Sequence, residues 1–262
     1  KMINLPASVS SIGSKAFPDS LESINVDPAN EVYTSKNGTL YSKSMTTLFR
    51  FSARHSINKV ILPDSLTSIA EEAFSYNKII KEVVVPDSLS EIGQGAFREC
   101  TQLQTINLDT VETIHRGAFS GCKALTDVSL SCKIIESSTF SDCRALANVA
   151  LVNTEKIGSS AFYKCAINSI EFPSTLTEIK SYAFDDCYLA SVTIPKTVKH
   201  VGRSAFDGSK HIYVYDTLQS NAGHIGNTYN DRNPYIITVL SADNDQIKYS
   251  VTMESDGSSA HR

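Results

Sequence analysis

Apolar and polar positions along this chain follow a pattern that returns about every 22 residues. Each unit contains two short apolar segments and then an aromatic turn. One unit reads Leu103-x-x-Ile106-x-Leu108, then Val111-x-x-Ile114, then Ala118-Phe119-x-x-Cys122. Alternation within the first segment is the period of a strand with one buried face. A fixed period of this length predicts coils that stack on one another along a single axis.

A phenylalanine marks the aromatic turn of each unit and keeps a constant register. These phenylalanines are Phe17, Phe74, Phe97, Phe119, Phe140, Phe162, Phe184 and Phe206. From Phe74 onward the steps between them are 23, 22, 21, 22, 22 and 22 residues. Seven of the eight follow an alanine, and each has an aliphatic residue five positions earlier. Because stacking brings equivalent positions together, we expect one aromatic ladder through a shared interior.

The period predicts a β-rich leucine-rich-repeat solenoid, a right-handed superhelix of short parallel strands. Proline follows the first strand in five units. Proline has no N–H, so it would end the strand and form a corner of the coil. The Ala-Phe pair is interpreted as a short helical or 3₁₀ turn. One coil cannot bury its own apolar face, so stability must come from stacking.

The spacing of the phenylalanines locates one insertion and one change of pattern. Phe17 and Phe74 are 57 residues apart, which is 35 more than one coil of 22. The insertion, about residues 27–56, contains three strand-like segments, with Asn37-Gly38 as a tight hairpin turn. We therefore expect a solenoid of about eight repeats over residues 1–215. Residues 216–262 lack the Ala-Phe pattern and are expected to form a C-terminal cap and tail.

Units of the form Leu-Pro-x-x-Leu followed by Ile-Gly-x-x-Ala-Phe-x-x-Cys resemble the BspA-like, or treponemal-type, leucine-rich repeats. The resemblance covers residues 3 to about 215. It departs from the family pattern at His115 and Glu136, where glycine is usual, and at Thr139, where alanine is usual. The resemblance implies a bacterial extracellular or cell-surface protein, with adhesion to host matrix proteins or cells as the activity most discussed. It brings no catalytic, cofactor or metal residues to this sequence.

Five of the six cysteines share one position, three residues after the phenylalanine. They are Cys100, Cys122, Cys143, Cys165 and Cys187. Ser20, Asn77 and Ser209 take this position in other units, which indicates a small, buried and weakly polar site. We expect free thiols packed as a ladder. Disulfides between coils are the minor alternative, because parallel Cβ directions suit bridging poorly.

Composition argues against several classes of function. The net charge is −4 and no basic cluster is present, which argues against nucleic acid as a partner. The sequence has no run of about 18 apolar residues, so we expect no membrane span in this chain. Zinc motifs such as Cys-x-x-Cys do not occur, and neither does the Gly-x-Ser-x-Gly nucleophile motif. We expect no enzyme activity, no cofactor and no metal site.

Function is therefore expected on exposed side chains. The candidate partner-binding residues are Asn25, Asn107, Ser129, Glu171 and Thr193 on the outward face of the first strand, and Tyr33 and Tyr41 in the insertion. The strand face is small and polar and lacks the Trp, Tyr and Arg that dominate tight interfaces. An ordinary solvated sheet face is thus the competing interpretation. For the tyrosines, the competing interpretation is a small local core.

Two functional hypotheses from different classes stay open. The first is a non-catalytic extracellular module that binds a protein ligand, either as an adhesin or as a spacer that presents other domains. The alternative is a carbohydrate-binding or substrate-capturing accessory module of a secreted enzyme complex. Specific retention on a glycan array would favour the second hypothesis. Binding only to matrix proteins would favour the first.

Overall fold

The structure is a computed structural model that describes residues 1–13, 16–18, 21–52, 57–218, 235–253 and 259–260. Over these residues the chain forms short strands and turns, without a helix. These residues therefore contain no helix with the length and hydrophobicity of a membrane span.

The strands follow one another along the chain as short extended pieces. The N-terminal part and the insertion contain β1 (Met2–Leu5), β2 (Ser23–Val26), β3 (Tyr33–Lys36), β4 (Thr39–Ser42) and β5 (Thr47–Arg50). The repeats contain β6 (Lys59–Ile61), β7 (Ser68–Ile69), β8 (Glu82–Val84), β9 (Glu91–Ile92), β10 (Thr105–Ile106), β11 (Thr113–Ile114), β12 (Asp127–Leu130), β13 (Ile134–Ile135), β14 (Asn148–Leu151), β15 (Lys156–Ile157), β16 (Glu178–Ile179), β17 (Val192–Thr193) and β18 (His200–Val201). The C-terminal part contains β19 (His211–Tyr215), β20 (Tyr235–Leu240), β21 (Ile247–Met253) and β22 (Ser259–Ala260).

Two series of strands run along the stacked coils, one for each apolar segment of the unit. The second segment forms the longer sheet, of ten strands in the order β18-β16-β15-β13-β11-β9-β7-β5-β4-β3. Within it, Ile92 pairs with Ile69 of the preceding coil and with Ile114 of the next coil. The first segment forms shorter sheets, β6-β8-β10, β12-β14 and a C-terminal sheet that begins with β17-β19. The predicted β-rich repeat solenoid is confirmed.

The phenylalanines stack in the interior between the two series. From Phe74 to Phe206, successive ring centroids lie 4.7 to 5.5 Å apart and the ring planes differ by 2 to 15°. These rings are at most 2% exposed. The prediction that Phe17 belongs to this stack is wrong. Phe17 is half-buried and packs in a separate N-terminal cluster with Leu21 and Ile24. The insertion separates its coil from the next one, so Phe17 does not continue the stack.

The Ala-Phe segment is not the short helical or 3₁₀ turn that we predicted. Around Phe97, the backbone φ angles of Gly95 and Glu99 are 59° and 56°, in the left-handed region. The N–H groups of Gly95, Phe97 and Glu99 donate to carbonyl oxygens of the next coil. Those of Ala96 and Arg98 donate within the turn. A helix would direct every N–H into its own segment, so the bonds between coils exclude one.

The insertion forms the predicted three-stranded meander. β3, β4 and β5 pair in antiparallel order, and the φ angles of Asn37 and Gly38 are 51° and 77°. Two successive positive φ angles are what a type I′ hairpin turn requires. β5 then pairs in parallel with β7, so the meander extends the ten-stranded sheet. Residues 53–56 of the predicted insertion lie outside the described residues.

The strands after the last repeat continue the first series. β19 pairs in parallel with β17 and with β20, and β21 then pairs antiparallel with β20 and with β22. Residues 219–234, 254–258 and 261–262 of the expected cap and tail lie outside the described residues. The boundary between solenoid and cap at 215/216 stays a prediction.

Candidate functional site

A groove of about 1270 Å³ runs along the first series of strands in the C-terminal coils. Asn107, Ser129, Glu171 and Thr193, four of the predicted partner-binding residues, line this groove. They hold the same outward position in successive coils, and Ala150 holds it in the coil between Ser129 and Glu171. Parallel pairing of β12 with β14 places Ser129 and Ala150 side by side, at the strand spacing of about 4.8 Å. Outward positions of several coils therefore line one groove.

The other three candidates lie outside the groove. Asn25 is exposed on β2, near the N-terminal end, where its Nδ2 donates to Asn4 Oδ1 at 3.2 Å. The expectation that Tyr33 and Tyr41 are exposed is wrong, because their side chains are only 5% and 6% exposed. Tyr33 packs edge-on against Phe49, with ring centroids 5.4 Å apart. Both tyrosines stabilise the insertion and its contact with the coils, so they offer a partner little surface.

The first series of strands is interrupted more than once along the groove, because in the described residues β12 does not pair with β10 and β14 pairs only with β12. β14 pairs with β12 over four residues on one side. On its other side, no backbone hydrogen bond joins residues 148–151 to residues 169–172 in the part of the chain that the structure describes. Residues 167–172, which hold the first apolar segment of their unit, form no strand. We call the interruption between residues 148–151 and residues 169–172 the strand gap.

Apolar side chains lie partly open at the strand gap. Val149, Leu151, Ile170 and Phe172 pack against the core but stay half-buried. In the coil of β12, which comes before them, the equivalent residues Val128 and Leu130 are 6% and 0% exposed. The inward positions of these two coils are therefore more open to the groove than those of the coil before them.

The strand gap coincides with a shortening of the link after the cysteine. Leu103, Leu125 and Leu146 each follow their cysteine by three residues and close a turn by donating an N–H to the cysteine carbonyl. Ile167 follows Cys165 by only two residues. Leu189 likewise follows Cys187 by two residues, yet its segment forms β17, so the link length alone does not decide whether a strand forms.

The charged side chains of the groove are mostly acidic. They are Asp109, Asp127, Glu171 and Lys196. Hydrogen bonds from Thr126 and Asn148 lower the pKa of Asp127, which keeps this carboxylate ionised at neutral pH. Three carboxylates against one ammonium give the groove a negative potential that favours cationic groups.

The cysteine ladder lies in the core, away from the groove. All six cysteines are free and buried. In the five-membered ladder, each Sγ lies 3.0 to 3.2 Å from the carbonyl oxygen of the preceding coil's phenylalanine, as Cys122 does from Phe97. Burial raises the pKa of Cys100 to about 12 and that of Cys132 to about 11. These thiols pack and donate hydrogen bonds, and their thiolate forms are scarce at neutral pH.

A polar cluster on the ten-stranded sheet was missed by sequence reasoning. His115 Nε2 lies 2.9 Å from Glu91 Oε1, and His115 Nδ1 lies 3.1 Å from Glu136 Oε1, so one imidazole links three coils. The hydrogen bond to Glu91 raises the pKa of His115, with a further contribution from Glu136. The sequence signal for this cluster is the presence of His115 and Glu136 at positions where the repeat usually has glycine. Within the described ranges, no group of three or more His, Cys, Asp or Glu residues is arranged to hold a metal ion.

Comparison with known proteins gives one family and several similar structures. The model of the BspA type leucine rich repeat region matches six copies, over residues 1–50, 47–165 and 155–231. A leucine-rich repeat protein from Eubacterium ventriosum is 25% identical, with a TM-score of 0.70 over 89% of this chain and 62% of that chain. No curated protein matches at a significant level.

Two further crystal structures share the fold. A leucine-rich repeat protein from Bacteroides ovatus is 23% identical, with a TM-score of 0.57 over 84% of this chain and 62% of that chain. The pneumococcal vaccine antigen PcpA is 24% identical, with a TM-score of 0.59 over 82% of this chain and 51% of that chain. This chain therefore spans between about half and about three fifths of the length of these proteins.

The matched ranges extend over most of the sequence and include every coil of the phenylalanine stack. The repeat period, the parallel strand series and the aromatic interior agree with those matches. The chain belongs to the BspA type leucine-rich repeat family.

Proposed function

We propose that this chain is a non-catalytic extracellular module that binds a protein ligand through the groove, in the manner of an adhesin. The observation that supports this most directly is the alignment of Asn107, Ser129, Glu171 and Thr193 along one groove of about 1270 Å³. This volume exceeds the roughly 300–1,000 Å³ of small-molecule sites, and the groove is open along several coils. A surface of another protein fits such a shape better than a small substrate does.

The chemistry of the groove supports binding rather than catalysis. Its described lining contains neither histidine nor cysteine. Of the three lining carboxylates, Glu171 is separated from Asp127 by the coil of β14 and lies still farther along the groove from Asp109. A general acid and base would have to lie within hydrogen-bond reach of one reacting group.

The extracellular placement rests on the family. Among the proteins with the same fold, one from Faecalibacterium prausnitzii is described as a cell surface protein, and PcpA is described as a vaccine antigen. Host matrix and cell-surface proteins are accordingly the first ligands to test. A spacer that presents other domains is the variant of this proposal that needs no ligand of its own.

The test measures retention of the chain on a panel of immobilised matrix proteins, with a glycan array in parallel. We expect saturable binding to at least one matrix protein, and at least tenfold weaker binding by Ser129→Trp and Thr193→Trp, which would fill the groove. Thr113→Trp is the matched control, because Thr113 is exposed on β11 of the other sheet. Equal binding by all three variants would contradict the groove as the site. Specific sugar retention without protein binding would contradict the adhesin-like role.

A further inference from the structure

We infer that the strand gap anchors an extended segment of the protein partner, one that carries a large apolar side chain flanked by lysine or arginine. This inference rests on the proposed function, because it assigns a chemistry to the partner of the same groove. It depends on three features of the gap, namely its apolar floor, its backbone groups and the charges beside it.

The floor of the gap is apolar, partly open and firmly held. Ile170 and Phe172 are half-buried and pack against the core on one side of the gap. The ring of Phe172 lies edge-on to Phe184 and Phe206, with centroids 5.6 and 6.2 Å apart. A floor fixed by buried rings is pre-organised, so a partner does not have to order it on binding. One large apolar side chain would complete the burial of Ile170 and Phe172.

The backbone at the gap offers hydrogen bonds to an extended chain. Val152 donates its N–H to Leu130 of β12 at 3.0 Å. Backbone groups alternate in direction along a parallel strand, so those of Val149 and Leu151 face away from β12 and into the gap. Over the described residues they make no backbone hydrogen bond. An added strand can pair with such groups, which is a common mode of peptide recognition.

The charges on both sides of the gap select the flanking residues. Asp127 lies on one side and Glu171 on the other, while Lys196 is the single cation in the described lining of the groove. Ser129 and Ala150, between the carboxylates, are too short to block access to the floor. Lysine or arginine next to the apolar anchor would place an ammonium or guanidinium group near these carboxylates, which would steer and orient the segment.

The test is a titration of the methyl-labelled protein, followed by NMR, with the peptide Gly-Ser-Lys-Phe-Lys-Ser-Gly. Two matched peptides replace Phe by Ala or both Lys by Glu. We expect saturable shifts of the methyl groups of Val149, Leu151 and Ile170, and at least fivefold weaker binding of each matched peptide. Ala150→Trp, an exposed position, should abolish the shifts, and Thr113→Trp should leave them unchanged. Glu171→Lys should weaken the Lys peptide and strengthen the Glu peptide.

The outcomes separate this inference from the proposed function. Equal affinity for all three peptides, shifts confined to the ten-stranded sheet, or shifts at the gap produced by a hexasaccharide but by none of the peptides would each overturn the anchor chemistry. If Ser129→Trp nevertheless abolishes retention on a matrix protein, the groove remains the docking surface and only the partner chemistry fails. If the peptides bind as expected but no matrix protein does, the anchor stands and the adhesin-like role fails.

Discussion

Phe51 stacks on Phe74 with ring centroids 4.7 Å apart and an angle of 18° between the ring planes. The N–H of Phe51 donates to Ala73 at 2.8 Å, just as the N–H of Phe74 donates to Ala96 at 2.7 Å. The last residues of the insertion therefore take the place of a repeat coil. Phe51 therefore covers the ring of Phe74 as a phenylalanine of a repeat coil would, although the Ala-Phe register is interrupted there.

The interior stack predicts unequal costs for two phenylalanine truncations. Phe119→Ala removes a fully buried ring that lies between Phe97 and Phe140, and it should cost roughly 3–5 kcal/mol of unfolding free energy. Phe49→Ala removes a half-buried ring of the insertion and should cost clearly less. Urea denaturation followed by circular dichroism measures both. Equal losses would contradict the distinction between the stack and the insertion.

The sequence predicts the stack because equivalent residues of successive coils must lie together whatever the details of each turn. It does not predict Phe51, since this residue reaches Phe74 through a meander of irregular length. The turn at Ala-Phe was assigned wrongly for a related reason. Its left-handed residues, such as Glu99, are compatible with a helix by composition, and only the bonds to the next coil reveal the true conformation.

The candidate site, too, is predictable from the sequence only in part. Outward positions such as Asn107 and Thr193 follow from strand alternation, so the sequence places them on one face. The burial of Tyr33 and Tyr41 depends on how the insertion packs against the coils, which periodicity does not encode. The strand gap has no single sequence signal, since Leu189 follows Cys187 at the same short spacing as Ile167 follows Cys165, and its segment still forms β17.

A glycine after the second strand is required where coils are closest. A Cβ on Gly93 would lie 2.6 Å from Glu71 N and 2.7 Å from Ala70 C of the preceding coil. We expect Gly93→Ala to lower the unfolding free energy by about 1–3 kcal/mol, because the backbones would have to separate. Gly13 holds the equivalent position in the first coil, and a Cβ added there would meet nothing within 4 Å. Gly13→Ala should therefore change the melting temperature little, and similar losses for both variants would contradict the close-approach argument.

The buried thiols should be protected from reagents in the folded protein. Burial raises the pKa of Cys122 and Cys143 well above the ordinary value for a thiol. Because the thiolate is the reactive form, we expect the six cysteines to react with a disulfide reagent only on the timescale of unfolding. Each thiol that reacts releases a chromophore from the reagent, and its absorbance is measured at neutral pH with and without urea. Rapid labelling of several thiols in native protein would contradict their burial in the ladder.

Asp185 gives the folded protein a predictable pH dependence. Burial, together with the nearby charges of Asp207 and Asp186, raises the pKa of Asp185 to about 7. Between about pH 4 and pH 7, the folded chain therefore holds a proton that the unfolded chain has released. The unfolding free energy must fall as pH rises through this window, and it stays lower above it.

Replacing the carboxyl group of Asp185 by an amide should remove this loss of unfolding free energy at high pH. We expect Asp185→Asn to stabilise the protein by about 1 kcal/mol at pH 8, a figure reduced from the full shift because the side chain is half-exposed. Near pH 4 the two proteins should be equally stable, since wild-type Asp185 is then protonated in the folded state. Asp64→Asn, at an exposed corner, is the control and should follow the wild-type curve at every pH. If Asp185→Asn gave the same difference at pH 4 and pH 8, the raised pKa would not be its cause, because only a titrating group makes the gain depend on pH.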